Sequence, residues 1–141
     1  LEVELLVCGA ALNKKKKIRC YETMDMGKAE ITVEGRLLDH GIVGIMMIQE
    51  AESRNKGMAY NSERILMLKH MIASHHGKKE WDAITTPATP EAEMLHHIDM
   101  IDSRMNMFEE AYKGQALSTI SNEKVFGLEN SYIYKSSFTK I

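Results

Sequence analysis

The sequence predicts an all-helical bundle. Apolar residues recur at helical spacing in four segments, and one segment opens with the helix-start set Thr89, Pro90, Glu91 and Glu93. The patterns also break at Gly77 and Gly114, where helices commonly stop. With 141 residues, 44% of them hydrophobic, there is enough for one domain with one core. That single domain is expected over residues 1–141, with a helical core over residues 1–113 and a less regular tail over residues 114–141.

Residues 1–12 are apolar nearly all round, as expected of a central helix covered by its neighbours. The run begins without an N-cap or a polar lead-in, so the bundle is expected to be truncated at its N-terminus, with a preceding segment packed on this helix. Residues 13–35 hold the lysine run together with Gly27 and Gly35 and read as a connecting loop. Over residues 36–51, Leu37, Gly41, Gly44, Ile45 and Ile48 mark one helix face with room for close packing, and His40 falls on it. Asn61 or Ser62 can cap a third helix with the stripe Ile65, Leu68, Ile72, His75 and His76, which Gly77 stops. In the fourth helix Thr89 is the expected N-cap and Pro90 the first helical residue, with Glu91 and Glu93 at the positive end of the dipole. Its stripe is read as Ala92, Leu95, Ile98, Ile101 or Asp102, Met105 and Phe108, and Asp99 also faces inward. Short extended pieces are expected over residues 125–138.

A net charge of −2 excludes a protein that coats nucleic acid by bulk attraction and leaves room for a local basic patch. Two cysteines, Cys8 and Cys20, form neither a disulfide framework nor a zinc-site spacing. With no secretory signal and no long apolar run, a cytoplasmic protein without a membrane segment is expected.

The informative positions are polar groups inside apolar stripes, because burying imidazoles and carboxylates is costly unless they are paired or bound to a metal. His40, His75, His76 and Asp99 fit that description and are expected to converge on one cleft. Neutral imidazoles and a carboxylate on different helices suit manganese, iron or zinc. Each residue also has a plain structural role open to it. A histidine can be a hydrogen-bonded core residue or complement a helix end, and Asp99 can pair with a base or with Asp102 one turn on. The lysine run reads as a solvated face or a phosphate-binding patch.

The order of these groups adds a resemblance. Asp39-His40-Gly41-Ile42-Val43-Gly44, then Leu68-Lys69-His70-Met71-Ile72-Ala73-Ser74-His75-His76-Gly77, then Thr89-Pro90-Glu91-Ala92-Glu93-Met94-Leu95-His96-His97-Ile98-Asp99 follow the motif order of the HD-domain superfamily of metal-dependent phosphohydrolases. With the tail Lys124-Val125-Phe126-Gly127-Leu128-Glu129-Asn130, the chain most closely resembles the HD domain of YhaM-type 3′-to-5′ exoribonucleases. The resemblance implies an HD-type bundle preceded by an OB-fold domain and a divalent metal cofactor, with manganese foremost and iron, zinc or magnesium as alternatives. It implies hydrolysis of the terminal phosphodiester of single-stranded RNA or DNA, with metal ions activating water and neutralising phosphate charge. By the same analogy His40, His75 and His76 would hold one ion and Asp99 another, with Asp102 as a further carboxylate. Lys78, Lys79 and Arg104 would contact phosphate, although lysines beside a helix end are commonly just solvated and Arg104 has acids to pair with.

One departure is pronounced. Where the family carries Leu-Leu-His-Asp-Ile-Gly-Lys-Ile, this chain has Ala11-Leu12-Asn13-Lys14-Lys15-Lys16-Lys17-Ile18, so Asn13-Lys14 replaces the signature dyad. Three functions therefore stand side by side: an exonuclease-type phosphodiesterase, a phosphohydrolase acting on a nucleotide, and a metal-poor module that binds nucleic acid or forms a homo-oligomer. In the last case Lys14 would stand in for a metal's charge beside Asp99.

Overall fold

The computed structural model describes residues 3–23, 29–55 and 61–139, of which residues 13–19, 21–23 and 29 are described by their backbone alone. Helix α1, Val3–Cys20, runs straight through the lysines. This corrects residues 13–20 of the loop expected over residues 13–35. Nothing between Asn13 and Cys20 is a glycine or a proline, and lysine and arginine are good helix formers. The helix is also less enclosed than its apolar sequence suggests, with Leu5 and Gly9 buried but Val3 and Val7 more than 60% exposed. Strands β1, Tyr21–Thr23, and β2, Ala29–Ile31, then form a short antiparallel ribbon with Tyr21 opposite Ile31.

Helix α2, Val33–Arg54, starts earlier and ends later than its sequence pattern indicates. Thr32 caps it, accepting the Gly35 N–H at 3.0 Å, while the Thr32 N–H donates to the Cys20 carbonyl at 2.8 Å. Gly35 is required there, since a Cβ would sit 2.8 Å from the Cys20 carbonyl oxygen. The helix is broken at Asp39, where φ is 64° and ψ 153°. The break explains why Leu37, read as part of the buried stripe, is 76% exposed. It precedes the break and is out of phase with the buried Gly41, Val43, Gly44 and Ile48.

Helix α3, Ser62–Ser74, is capped by Asn61, which accepts the N–H groups of Glu63 and Arg64 at 3.0 and 3.2 Å. It stops as expected, with Gly77 at φ +79°. The following loop contains a 3₁₀ turn at Lys79–Trp81, and its later part is also held to α3. The Thr85 N–H donates to the Ala73 carbonyl at 3.2 Å, and the Ala88 N–H donates to His70 Nε2 at 2.9 Å.

Helix α4, Pro90–Tyr112, has the expected cap, with Thr89 Oγ1 accepting the Ala92 N–H at 3.2 Å. Its inward face differs from the stripe read above. Glu91, Ala92, Leu95 and His96 are buried, whereas Ile98 and Ile101 are 39% and 61% exposed. A run of i+3 steps precesses by about 60° per step around the helix, so a stripe followed that way leaves the buried face within two turns.

Two compact units result, residues 1–99 and residues 100–141. In the first, α1 packs on α2 and α3, and α2 packs on α3, around Leu5, Met71, Ala92 and Leu95. In the second, the end of α4 carries Tyr112, which packs with Leu128 and Ile133. Strands β3, Thr119–Ile120, and β4, Tyr134–Lys135, pair antiparallel there, and a 3₁₀ turn at Phe126–Leu128 lies between them. The fold is all-α, with two short ribbons attached. No helix among the described residues is long and apolar enough to cross a membrane.

Candidate metal centre

Three of the predicted site residues meet. His40 follows the break in α2, His75 is the C-cap of α3, and His76 is the next residue. His40 Nε2 lies 3.2 Å from His75 Nε2 and 2.9 Å from His76 Nε2, and one nitrogen from each of the three rings lies within 4.8 Å of the others. His75 is buried, and the other two are half-buried.

The outer nitrogens decide what the inner ones present. His75 Nδ1 is 2.7 Å from the Ile72 carbonyl, which can only accept, so the proton sits on Nδ1 and a lone pair on Nε2. His40 Nδ1 is 3.2 Å from Asp39 Oδ2, with the same consequence. His76 Nδ1 is buried with no hydrogen-bond partner among the described residues. With both rings neutral, lone pairs of His40 and His75 thus oppose each other across 3.2 Å, a repulsive contact that a cation between them would convert into attraction. The spacing fits. Two nitrogens at about 2.0–2.1 Å from one ion are about 2.9–3.4 Å apart in octahedral or tetrahedral geometry.

The remaining predicted residues are placed differently. Asp99 is half-buried on α4 and does not join the donor cluster of His40, His75 and His76. Asp102 is exposed and belongs to the second unit. Lys78 and Lys79 are exposed at the turn after His76, and Lys78 Nζ lies 4.6 Å from the centre of the Trp81 ring. Arg104 pairs with Glu129 at 3.2 Å, the acidic partner its sequence context allowed. Asn13 and Lys14 are on α1, and the expected approach of the Lys14 side chain to Asp99 lies outside the described residues.

Two residues of the surroundings were missed by the sequence pattern. His96 is buried, with Nδ1 2.9 Å from the His75 carbonyl and its ring against Gly77, so it braces the chain that carries the cluster. Its position four residues after Ala92 was the available signal. Asp39 gave no signal, because a break inside a helical pattern is not written in periodicity.

The chain is 37% identical to the 3′-5′ exoribonuclease YhaM of Bacillus subtilis over 140 residues, covering 99% of this chain and 43% of that protein. It is homologous to YhaM-type 3′-5′ exoribonucleases of the HD-domain superfamily. The proteins of the same name from Shouchella clausii and Bacillus pumilus are 39% and 36% identical, again over nearly all of this chain and 42% of theirs. The chain thus spans about two fifths of the length of the curated relatives it matches. No protein-family model matches it, and no solved structure does.

Proposed function

We propose that this chain is a metal-dependent phosphohydrolase domain of the 3′-to-5′ exoribonuclease type, with His40, His75 and His76 holding a divalent cation, manganese foremost. The carrying observation is the set of three imidazole nitrogens turned toward one point, two of them with lone pairs fixed by acceptors at the opposite ring nitrogen. A divalent ion supplies Lewis acidity there, activating water and neutralising phosphate charge. The chain's own residues orient the ligands: the Ile72 carbonyl holds His75, and His96 holds the His75 backbone. By the family analogy Asp99 would hold a second ion beside the one held by the three histidines. Lys78 and Lys79, exposed just past His76, are the phosphate contacts for a single-stranded RNA or DNA end, and Asp102 and Arg104 belong to the periphery of that reading.

Asn13-Lys14 favours a second reading, a metal-poor module that binds nucleic acid or assembles with copies of itself. An amide is a weak neutral ligand and an ammonium repels a cation, so the metal set is short of one histidine and one acid. Calorimetric titration with manganese chloride and a 3′-end shortening assay on single-stranded RNA separate the two. The exonuclease reading expects manganese to bind the unaltered chain, His76→Ala to weaken that binding at least tenfold, and Asn13→His with Lys14→Asp to raise manganese-dependent shortening. Equal manganese binding by the unaltered and His76→Ala chains, with no shortening by the restored dyad, overturns it in favour of the binding module.

A further inference from the structure

We propose that Asp39 is the positioning residue for His40, holding its ring so that Nε2 points into the cluster; this rests on the cation-site reading above. Both carboxylate oxygens are engaged. Oδ1 accepts the Gly41 N–H at 2.7 Å, capping the part of α2 that restarts after the break, and Oδ2 stands 3.2 Å from His40 Nδ1. One side chain thus sets where the second helical segment begins and which nitrogen of its first residue carries the proton. A carboxylate on the outer nitrogen of a ligating histidine fixes both the ring's orientation and its tautomer and raises its basicity.

The backbone points the same way. With φ 64° and ψ 153°, Asp39 occupies a region essentially restricted to glycine. A residue with a Cβ is disfavoured there unless its side chain makes contacts that hold it. The two Asp39 contacts are of that kind, and both act on the segment that delivers His40. The same break lets His40 face α3 while residues 33–38 follow a different phase. His75 has an outer acceptor of its own, the Ile72 carbonyl, so Asp39 completes a pattern in which two of the three rings are oriented from behind.

Asp39→Asn tests this. An amide offers one acceptor and one donor, so it can keep the Gly41 cap only by turning its NH₂ toward His40, which then must accept at Nδ1 and carry its proton on Nε2. Nitrogen-resolved NMR of the imidazoles in their neutral form is expected to show His40 changing from the Nδ1–H to the Nε2–H tautomer. Manganese affinity, by calorimetry, is expected to fall about 10- to 100-fold. Asp39→Gly suits the backbone angles and also lacks the acceptor, so it is expected to stay folded by circular dichroism and to lose affinity similarly. An unchanged tautomer in Asp39→Asn, or unchanged manganese affinity in both Asp39 variants while His40→Ala loses it, overturns the role of Asp39 and leaves the cation site standing. Manganese affinity unchanged in His40→Ala overturns the cation site itself, and the NMR result then still decides whether Asp39 orients the ring.

Discussion

At the residue scale, two glycines of the first unit differ in what they tolerate. At Gly77 the backbone is at φ +79°, and a Cβ would come within 2.4 Å of the His96 ring. Gly77→Ala is therefore expected to lower stability by about 2–4 kcal/mol, from left-handed strain plus the displaced imidazole. At Gly9 the obstacle is the Met71 methyl, the far end of an adaptable side chain, at 2.6 Å, and the backbone is helical. There the helix propensity gained by alanine, about 1 kcal/mol, offsets the repacking, so Gly9→Ala is expected to be near neutral. Thermal melts of the two variants check the contrast, and equal melting temperatures would refute the account of Gly77.

At the element scale, helix ends carry much of the organisation. Asn61 satisfies two N–H groups at the start of α3, the helix whose other end delivers His75 and His76. Asn61→Ala is expected to destabilise the fold by about 1 kcal/mol, read by urea denaturation. It leaves the distal His75–His76 corner intact, so manganese affinity should change by less than about threefold. By contrast, Leu95 is 1% exposed in the core under α3, and Leu95→Ala is expected to cost about 2–5 kcal/mol. Helix α2 shows the other use of a helix start. Its break at Asp39 creates a second start inside one element, and the residue that follows the break, His40, is a candidate ligand.

At the scale of the whole molecule, the first unit holds the three-histidine cluster and the second has its own small core of Tyr112, Leu128 and Ile133. Leu128→Ala is expected to loosen the second core while leaving manganese binding unchanged, as measured by near-ultraviolet circular dichroism beside calorimetry. The sequence by itself determined the helical class, because four apolar periodicities with Asn61, Gly77, Thr89 and Pro90 at their ends are local signals that each helix must satisfy alone. It also singled out His40, His75 and His76, since imidazoles within apolar stripes must be paired or ligated wherever they are buried. Residues 13–20 are helical where the charge pattern indicates a loop, because the helix propensity of the lysines governs there. Only the tertiary structure decided that the three rings meet at Nε2 and that His96 and Asp39 support the cluster. Periodicity records which side of a helix is buried. It carries neither the rotation at a break such as Asp39 nor the partner that fixes a ring's proton, and both are set by contacts between residues remote in sequence or by one residue's departure from helical angles.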